Sequence, residues 1–545
     1  MKILKIIGII IFATNASFSQ IVWTYQVGSN LIDMPSAIST DNNNAIYLSG
    51  NFDGYYLFFN NDSLSNNGYD DFFLAKFTSA GNKIWAKRYG GYNTSSDLEG
   101  TSGHYYDKYS NSIIMPGRFY GTTILGTDTF HSYNGKYFLA KIDTAGNIVW
   151  ARQNSVGIAE ITTDSASNIY VCGALSTTDS LDNIILQPGV YMAKYDSAGN
   201  VLWAKKMFNV YGSFNNLWKV TPNALKVFNN EIYLAANTVG DTITVDTTNY
   251  FPPDSNSGAL MKFTNDGNLI WMKTFGPSGS GASLAFDVYG NCYVPGGFKG
   301  TIHYDNDSIS SQGSTIYDGV LAKFDSSGSL LWLRQLHATV GAVLGDIKSD
   351  DEGNCYVLSR LLGGTASYGT FTYTSSGTST MWDNCIARYN SSGDCIGVEQ
   401  LGITPGGAFG YIDRDNNDNV VAAGYYQNSI TLGSTTYGCF GGNDIAIAKL
   451  AAITGTHEGK AAHNQLLIYA NPTAGKCNIT VPDEFKNDKD LTLSIYANDG
   501  KLIQQKTLSM AGDKIKLNLE TEAKGIYNVS LSNGLKSYSG KIVFE

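Results

Sequence analysis

The sequence predicts an all-β protein: a seven-bladed β-propeller closed by its N-terminal strand, followed by a small C-terminal immunoglobulin-like β-sandwich. Three observations lead to this prediction. One hairpin phrase, written DTAGNIVWAR from Asp143 to Arg152, occurs in variant form six times. A second phrase, written NIYVCG from Asn168, occurs seven times. After Leu450 both phrases stop, and short strands of another kind fill the rest of the chain.

The composition suits strands joined by tight turns and argues against binding to nucleic acid. The chain of 545 residues contains 35 Tyr and 59 Gly but only 11 Pro. Aromatic residues favour strands, and glycine favours turns. The formal net charge is −10. Because a negative chain lacks the broad basic surface that a phosphate backbone attracts, we expect no nucleic-acid partner.

Residues 1–19 read as a secretory signal peptide. Two lysines are followed by an apolar run from Ile6 to Ala13, and Ser17 and Ser19 have the spacing of a cleavage site. We therefore expect the Sec export machinery to deliver the chain to the periplasm. No later apolar run reaches the roughly 18 residues that a spanning helix needs, so no membrane span is expected.

The hairpin phrase joins an alternating strand, C, to a second strand, D, across an Asp-x-x-Gly-Asn turn. Such a turn is typical of a type I turn with a glycine bulge, in which the glycine has positive φ. The glycines at this position are Gly81, Gly146, Gly199, Gly267, Gly328 and Gly393. Strand C also carries one lysine per repeat, which we interpret as a structural residue between blades, with its stem packed and its head paired.

The second phrase belongs to strand B, and a short apolar strand A precedes it. Four antiparallel strands repeated at roughly 60 residues predict a propeller blade. The seventh strand C, which starts at Asp444, has no strand D after it. The opening stretch IVWTYQVG supplies one and puts Trp23 in the position held elsewhere by Trp85, Trp150, Trp203, Trp271 and Trp332. The sequence thus predicts a closed propeller over residues 20–450, with Trp23 buried in the shared blade.

These phrases resemble those of the secreted seven-bladed β-propeller repeat family. The resemblance extends from Ile21 to Leu450, where the phrases Asp-x-x-Gly-Asn-x-Tyr-Val-x-Gly and Ala-Lys-x-Asp-x-x-Gly-Asn-x-x-Trp recur in order. The resemblance implies the fold and an extracellular setting. It implies no single activity.

The C-terminal part reads as a linker over residues 451–465 and a small β-sandwich over residues 466–545. The sandwich resembles the type A sorting domain of bacterial type IX secretion, with Ala470 where that family usually has Pro. The residues that carry the resemblance are Asn471, Pro472, Gly475, Lys476, Gly525 and Tyr527. An ordinary accessory sandwich is the alternative.

The resemblance implies a second export step after the signal peptide. The type IX secretion apparatus would move the chain from the periplasm across the outer membrane, and the sorting domain would then be removed. The protein would be released or attached to surface lipopolysaccharide.

No motif predicts a catalytic residue, a metal site or a cofactor. The histidines are scattered over different repeats, and no two have a zinc-ligand spacing. The stretch DRDNNDN from Asp413 starts like a calcium loop, but it lacks the glycine at the sixth position and has Gly424 in place of the final Glu. Other repeats have turns at this place, so we interpret the stretch as an A–B turn.

The favoured function is non-catalytic binding of a glycan or protein ligand. The alternatives are a polysaccharide-active enzyme with carboxylates in the propeller funnel and a structural or adhesive surface scaffold. The A–B and C–D turns share one face, and the longer B–C and D–A connections share the opposite face, here called the second face. Trp218 and Trp382 lie in second-face connections and are the predicted ligand-binding residues.

Overall fold

A computed structural model describes residues 21–66, 70–92, 99–209, 220–239, 243–245, 248–252, 256–280, 283–304, 307–311, 317–375, 381–453, 466, 468–469, 473–482, 485–486, 490–497, 501–508, 513–533 and 537–545. The predicted signal peptide and most of the predicted linker lie outside these residues. The chain divides into two compact units, Met1–Thr454 and Gly455–Glu545. Both units consist of β-strands, so the all-β prediction is confirmed.

The first unit contains strands β1 to β40. In chain order they are Ile21–Val27, Asp33–Thr40, Ile46–Phe52, Tyr56–Phe59, Asp62–Ser65, Asp71–Phe77, Lys83–Tyr92, Gly100–Thr101, Tyr105–Asp107, Ser112–Leu125, Asp128–Asp143, Ile148–Asn154, Glu160–Thr163, Ile169–Leu175, Asp179–Leu181, Ile184–Leu186, Gly189–Tyr195, Val201–Asn209, Val220–Phe228, Glu231–Val239, Ile243–Val245, Thr248–Tyr250, Asn256–Phe263, Leu269–Ser280, Ala285–Phe286, Cys292–Tyr304, Asp307–Ser310, Asp318–Phe324, Leu330–Ala338, Ala342–Ser349, Cys355–Leu361, Thr365–Tyr368, Phe371–Thr374, Met381–Tyr389, Cys395–Pro405, Ala408–Arg414, Val420–Tyr426, Ser429–Leu432, Thr435–Gly438 and Asp444–Leu450.

The strands of each repeat pair in the predicted antiparallel order A, B, C, D. The first repeat is β2-β3-β6-β7, and β13-β14-β17-β18, β19-β20-β23-β24 and β30-β31-β34-β35 follow the same plan. In the second and fifth repeats the short strands β9 and β25 stand in the A position. The buried cores lie within and between neighbouring repeats, since one cluster joins Cys172 to Met261 and another joins Tyr356 to Ala446.

The N-terminal strand completes the sheet of the last repeat. The strand order in that sheet is β1-β40-β37-β36. Trp23 stands opposite Lys449 and Val27 opposite Ile445, with a register shift between Ile21 and Trp23. The pairing that the sequence predicts between the first strand and the seventh strand C is therefore present, and it covers a sheet edge that would otherwise be unpaired.

The six turn glycines have the conformation that their turns require. Their φ angles lie between 76° and 85°. Each also lies against the repeat before it: a Cβ on Gly81 would come 2.6 Å from the Trp23 ring, and one on Gly393 would come 2.8 Å from the Trp332 ring. Both the backbone conformation and the space therefore exclude a side chain.

Trp23 is half-buried, whereas the sequence predicts a buried ring. The reason is its place at the boundary between two repeats, where Nε1 donates to the Ser79 carbonyl at 3.0 Å and one edge of the ring reaches solvent. The same bond recurs from Trp85 to Thr144, Trp150 to Ser197, Trp271 to Ser326 and Trp332 to Ser391, at 3.1–3.3 Å.

The sequence predicts that the heads of the strand-C lysines are paired, and five of them form ion pairs with carboxylates at or beside the A–B turns: Lys76, Lys194, Lys262, Lys323 and Lys449. Lys323 Nζ lies 2.9 Å from Asp287, and Lys449 Nζ lies 2.7 Å from Asp415. The same ammonium groups also donate to the next repeat, Lys323 to the Ser391 carbonyl at 3.1 Å. Lys449 donates to the Ser79 carbonyl at 2.9 Å, which links the last repeat to the first.

Five B–C connections contain short hairpins, where the sequence predicts loops. These are β4–β5, β15–β16, β21–β22, β32–β33 and β38–β39. In β4 the side chains alternate, so that Leu57 and Phe59 are buried while Tyr56 and Phe58 are exposed. An alternation over three or four residues is too short to distinguish a strand from a loop in the sequence.

The second unit has two sheets around one core. Its strands β41 to β47 are Ile468–Tyr469, Lys476–Thr480, Leu491–Ala497, Leu502–Leu508, Lys514–Asn518, Gly525–Ser532 and Ser537–Phe544. The sheet β41-β42-β45 and the sheet β44-β43-β46-β47 contribute to the same buried cluster, which includes Ile479, Leu517, Ile495 and Ile542. This arrangement is a small β-sandwich.

Candidate functional site

The A strands of successive repeats converge on one cavity of about 480 Å³. The repeat pattern itself marks part of the lining, because the residue four positions before the A–B turn aspartate faces the cavity. Those residues are Ala37, Gly103, Glu160, Ser283, Asp346 and Tyr411. The sequence does not mark this position as a motif, because the six residues all differ from one another.

Two of the cavity carboxylates are engaged in bonds between strands. Asp346 receives Lys348 Nζ at 2.8 and 2.9 Å and the Ile412 amide at 2.9 Å. Burial would raise the pKa of Asp346, but Lys348 and these hydrogen bonds hold it below its ordinary value. Asp413 receives the Thr40 amide at 2.7 Å and the Thr40 hydroxyl at 3.0 Å. Both carboxylates thus connect the A strands of neighbouring repeats.

Glu160 differs from them because burial dominates its environment. Burial raises the pKa of Glu160 to about 8, the charge of Asp346 adds to the rise, and Lys226 opposes it. At neutral pH the carboxyl group is therefore mostly uncharged and able to donate a hydrogen bond. Lys226 also lines the cavity, and its Nζ lies 5.0 Å from the centre of the Tyr105 ring.

His104 is a neutral member of the lining. Its Nε2 lies 2.7 Å from Ser39 Oγ, and its Nδ1 lies 2.8 Å from Ser49 Oγ. Burial lowers the pKa of His104 to about 3, so this ring is a weak base at physiological pH. A Ser–His pair with such a base cannot activate the serine efficiently, and the network serves to position side chains.

A group of exposed aromatic side chains lies where the first and last repeats meet. We call Tyr56, Phe58 and Phe440 the aromatic patch; they are 53%, 42% and 60% exposed. The ring centroids of Tyr56 and Phe58 are 6.4 Å apart, and those of Phe58 and Phe440 are 6.3 Å apart. Leu31 and Ile32 are exposed beside Gly441 and Gly442, next to Phe440.

The chain connectivity puts the aromatic patch on the second face. Tyr56 and Phe58 belong to a B–C hairpin of the first repeat, and Phe440 follows the B–C hairpin of the last. The patch has polar neighbours: the Phe440 amide donates to Asp444 at 2.9 Å, and Gln427 Nε2 donates to Asn443 Oδ1 at 2.9 Å.

Of the two predicted ligand-binding tryptophans, the structure describes only Trp382. Trp218 lies outside the described residues. Trp382 is half-buried at the start of β34, opposite Thr404, and its carbonyl accepts bonds from Thr404 and Asn384. The structure does not bring Trp382 into the cavity lining or the aromatic patch.

The sorting-motif residues that the structure describes lie in or beside the strands of the second unit. Asn471 and Pro472 lie outside the described residues. Gly475 has a φ of 111°, and the Lys476 ammonium pairs with Glu520 at 3.0 Å. Gly525 stands opposite Phe544, while Tyr527 is buried and donates to the Ala523 carbonyl.

Across the described ranges, no group of three or more His, Cys, Asp or Glu side chains could hold a metal ion. The stretch from Asp413 forms an A–B turn between β36 and β37, with the Asp415 amide bonded to the Asn419 carbonyl, as the sequence predicts. The described part of the chain also contains no helix with the length and hydropathy of a membrane span.

Comparison with known protein families assigns the second unit. Residues 467–545 match the model described as a secretion system C-terminal sorting domain. The match indicates export to the cell surface or the medium. No curated protein matches the chain.

Several solved structures resemble the chain at low similarity. A member of the DUF4221 family from Bacteroides vulgatus is 11% identical, covers 62% of this chain and 92% of its own, and has a TM-score of 0.26. Trypanosoma rangeli sialidase in complex with sialic acid is 7% identical, with coverages of 94% and 83% and a TM-score of 0.30. A bifunctional GH43-CE protein from Bacteroides eggerthii is 9% identical, with coverages of 87% and 68% and a TM-score of 0.26. Because these scores lie below 0.5, they carry no inference about the activity of this chain.

Proposed function

We propose that the protein is an exported, non-catalytic glycan-binding protein whose first unit is a closed seven-bladed β-propeller. The pairing of β1 with β40 and the bonds from Trp23 and Lys449 to Ser79 support the closure. In this proposal residues 1–19 are the signal peptide, 20–450 the propeller, 451–465 the linker and 466–545 the sorting domain. The sorting domain directs the chain through the type IX secretion apparatus.

The aromatic patch is the single observation that favours binding. Flat exposed rings stack on the apolar faces of sugar rings, and nearby amide and carboxylate groups bond to hydroxyls. Three half-exposed rings and two aliphatic side chains offer on the order of 450 Å². A stable protein complex needs about 800 Å² on each partner, so the patch fits a glycan better than a protein.

The alternatives receive less support from the geometry. A glycosidase generally needs two available carboxyl groups. In the cavity, Asp346 and Asp413 are held by bonds between strands, which leaves Glu160. A purely structural scaffold has no need for three clustered, exposed rings. Trp218 and Trp382 stay predicted ligand-binding residues.

The test is a glycan array with the mature chain, followed by calorimetry with the best oligosaccharide. Phe58→Ala and Phe440→Ala should each weaken binding about tenfold or more, as truncation of aromatic anchors does. Tyr133→Ala and Tyr289→Ala are matched controls, since these rings are 99% and 80% exposed at other places and should leave affinity unchanged.

Two outcomes would contradict the proposal. If the patch variants bind like wild type, the site lies elsewhere. If reducing ends accumulate when polysaccharide is incubated with the protein, and Glu160→Gln abolishes them, the protein is an enzyme.

A further inference from the structure

The cavity lined by the A strands contains a second lysine, Lys226, besides Lys348, which pairs with Asp346. In the described part of the chain, Lys226 forms no ion pair, and its one close partner is the Tyr105 ring. The carboxyl group whose charge interacts with Lys226 is Glu160, which burial keeps mostly uncharged at neutral pH, while Asp346 pairs with Lys348 and Asp413 accepts bonds from Thr40. An unpaired ammonium group facing a cavity attracts an anion.

Arg360 adds a second cation behind the lining. It is mostly buried on β31, its Nε has no hydrogen-bond partner, and it forms no ion pair among the described residues. Its Nη2 lies 3.5 Å from where a Cβ on Gly345 would be, beside the backbone that carries Asp346. Burial lowers the pKa of Arg360, and interaction with Tyr411 opposes this. Arginine nevertheless stays charged in proteins. With Glu160 uncharged, Lys226, Lys348 and Arg360 carry three positive charges against the two carboxylates Asp346 and Asp413.

The remaining lining is rich in hydroxyl groups. Ser36, Ser39 and Ser102 line the cavity together with Tyr105 and Tyr411. Its volume of about 480 Å³ is within the range of small-molecule sites, roughly 300–1,000 Å³. A fitting ligand therefore carries one negative charge and several hydroxyl groups.

We propose that the central cavity is a binding site for a hexuronate, a sugar residue with a carboxylate. Lys226 pairs with that carboxylate, the uncharged Glu160 donates a hydrogen bond to it, and the serine and tyrosine hydroxyls bind the ring hydroxyls. This site stands independently of the aromatic patch, because none of the patch residues lines the cavity.

The site should lose affinity at alkaline pH. The ionisable groups that face Glu160 are Lys226, Asp346, Tyr411 and Cys172. Glu160 is uncharged well below pH 8 and ionises as the pH rises past about 8, where it repels a carboxylate ligand. Affinity should therefore be constant from pH 6 to 7 and fall between pH 7 and 9. Glu160→Gln should bind without this decline.

The test is calorimetric titration of the mature chain with glucuronate and galacturonate. Glucose and galactose test the contribution of the sugar ring, and acetate tests that of the carboxylate. We expect a uronate to bind at least tenfold more tightly than its neutral counterpart and than acetate. Lys226→Met should remove about tenfold or more of that affinity. Lys299→Met is the matched control, because Lys299 lies over the Tyr317 ring at 4.0 Å, outside the cavity lining.

Three results would overturn the proposal: no binding of either uronate, equal binding of the neutral sugars, or an unchanged affinity in Lys226→Met. Binding of acetate as tight as that of the uronates would also overturn it, because the site would then recognise any carboxylate. Phe58→Ala should leave uronate binding intact, so a failure here and a failure of the proposed patch are distinguishable.

Discussion

At the scale of single residues, a buried Asp–Lys pair recurs through the first unit. Lys323 and Asp287 are both almost fully buried, with side-chain exposures of 5% and 1%. Burial would raise the pKa of Asp287, but bonds from Asn291 and Lys323 outweigh it and hold that pKa below its ordinary value. The ionised pair is thus favoured in the folded state, and each partner depends on the other.

Replacing Lys323 by Met should lower the free energy of unfolding by about 3–5 kcal/mol, because Asp287 keeps a buried charge without a partner. The double variant Asp287→Asn, Lys323→Met should recover part of this loss. The deficit should shrink below about pH 4, because a lowered folded-state pKa contributes stability only above the unfolded value. Urea denaturation measures these differences. Lys108 is exposed, so Lys108→Met is the control. Its free energy of unfolding should be within about 0.5 kcal/mol of wild type. If Lys323→Met has the same free energy of unfolding as wild type, the ion pair does not contribute to stability.

The same scale shows what a sequence can and cannot predict. The turn glycines, the Trp position and the strand-C lysines were predictable because each recurs with a fixed spacing and a known physical role. Glu160 and Lys226 were not, because each occurs once. Both residues line one cavity because strands that are far apart in the chain converge there. A local sequence pattern does not predict such a long-range contact.

At the scale of elements, the N-terminal strand could be assigned because a strand D was missing at the other end. The hairpin that carries Tyr56 and Phe58 could not, because its alternation is too short. Aromatic residues are common in strands, so the sequence does not distinguish the exposed rings of this hairpin from buried ones. The positions that the repeats share thus predict the sheets. The conformation of the connections, which carry the aromatic patch, is seen only in the structure.

Trp23→Ala tests whether β1 stabilises the last repeat as an internal strand D would. Because the ring is half-buried, we expect a loss of about 2–3 kcal/mol, below the roughly 3–5 kcal/mol of a fully buried aromatic. Trp150→Ala is the matched control, since Trp150 makes the same bond to a turn carbonyl, at 3.2 Å, within the body of the chain. Similar losses by urea denaturation would support closure. A destabilised Trp150→Ala beside an unchanged Trp23→Ala would show that β1 is dispensable.

At the scale of the whole molecule, the chain consists of two compact units, each with its own buried core. The sorting domain has its own core, so its strands need no residue of the first unit to bury their apolar faces. The first unit likewise buries its apolar strands among its own repeats. Removal of the second unit should therefore leave the first folded, with its cavity and aromatic patch intact.

Deletion of residues 466–545 should stop export at the periplasm, because the signal peptide would still act while the sorting domain would be absent. The retained protein should be folded and should bind the same glycan as the exported form, because both candidate sites belong to the first unit. In cells with the full chain, mass spectrometry of the extracellular protein should find a C-terminus within residues 451–465, where the predicted linker would be cleaved. Cell fractionation with an antibody against the first unit locates each form. Efficient secretion of the truncated chain would show that the sorting domain is not required, and an extracellular protein that still ends at Glu545 would refute its removal.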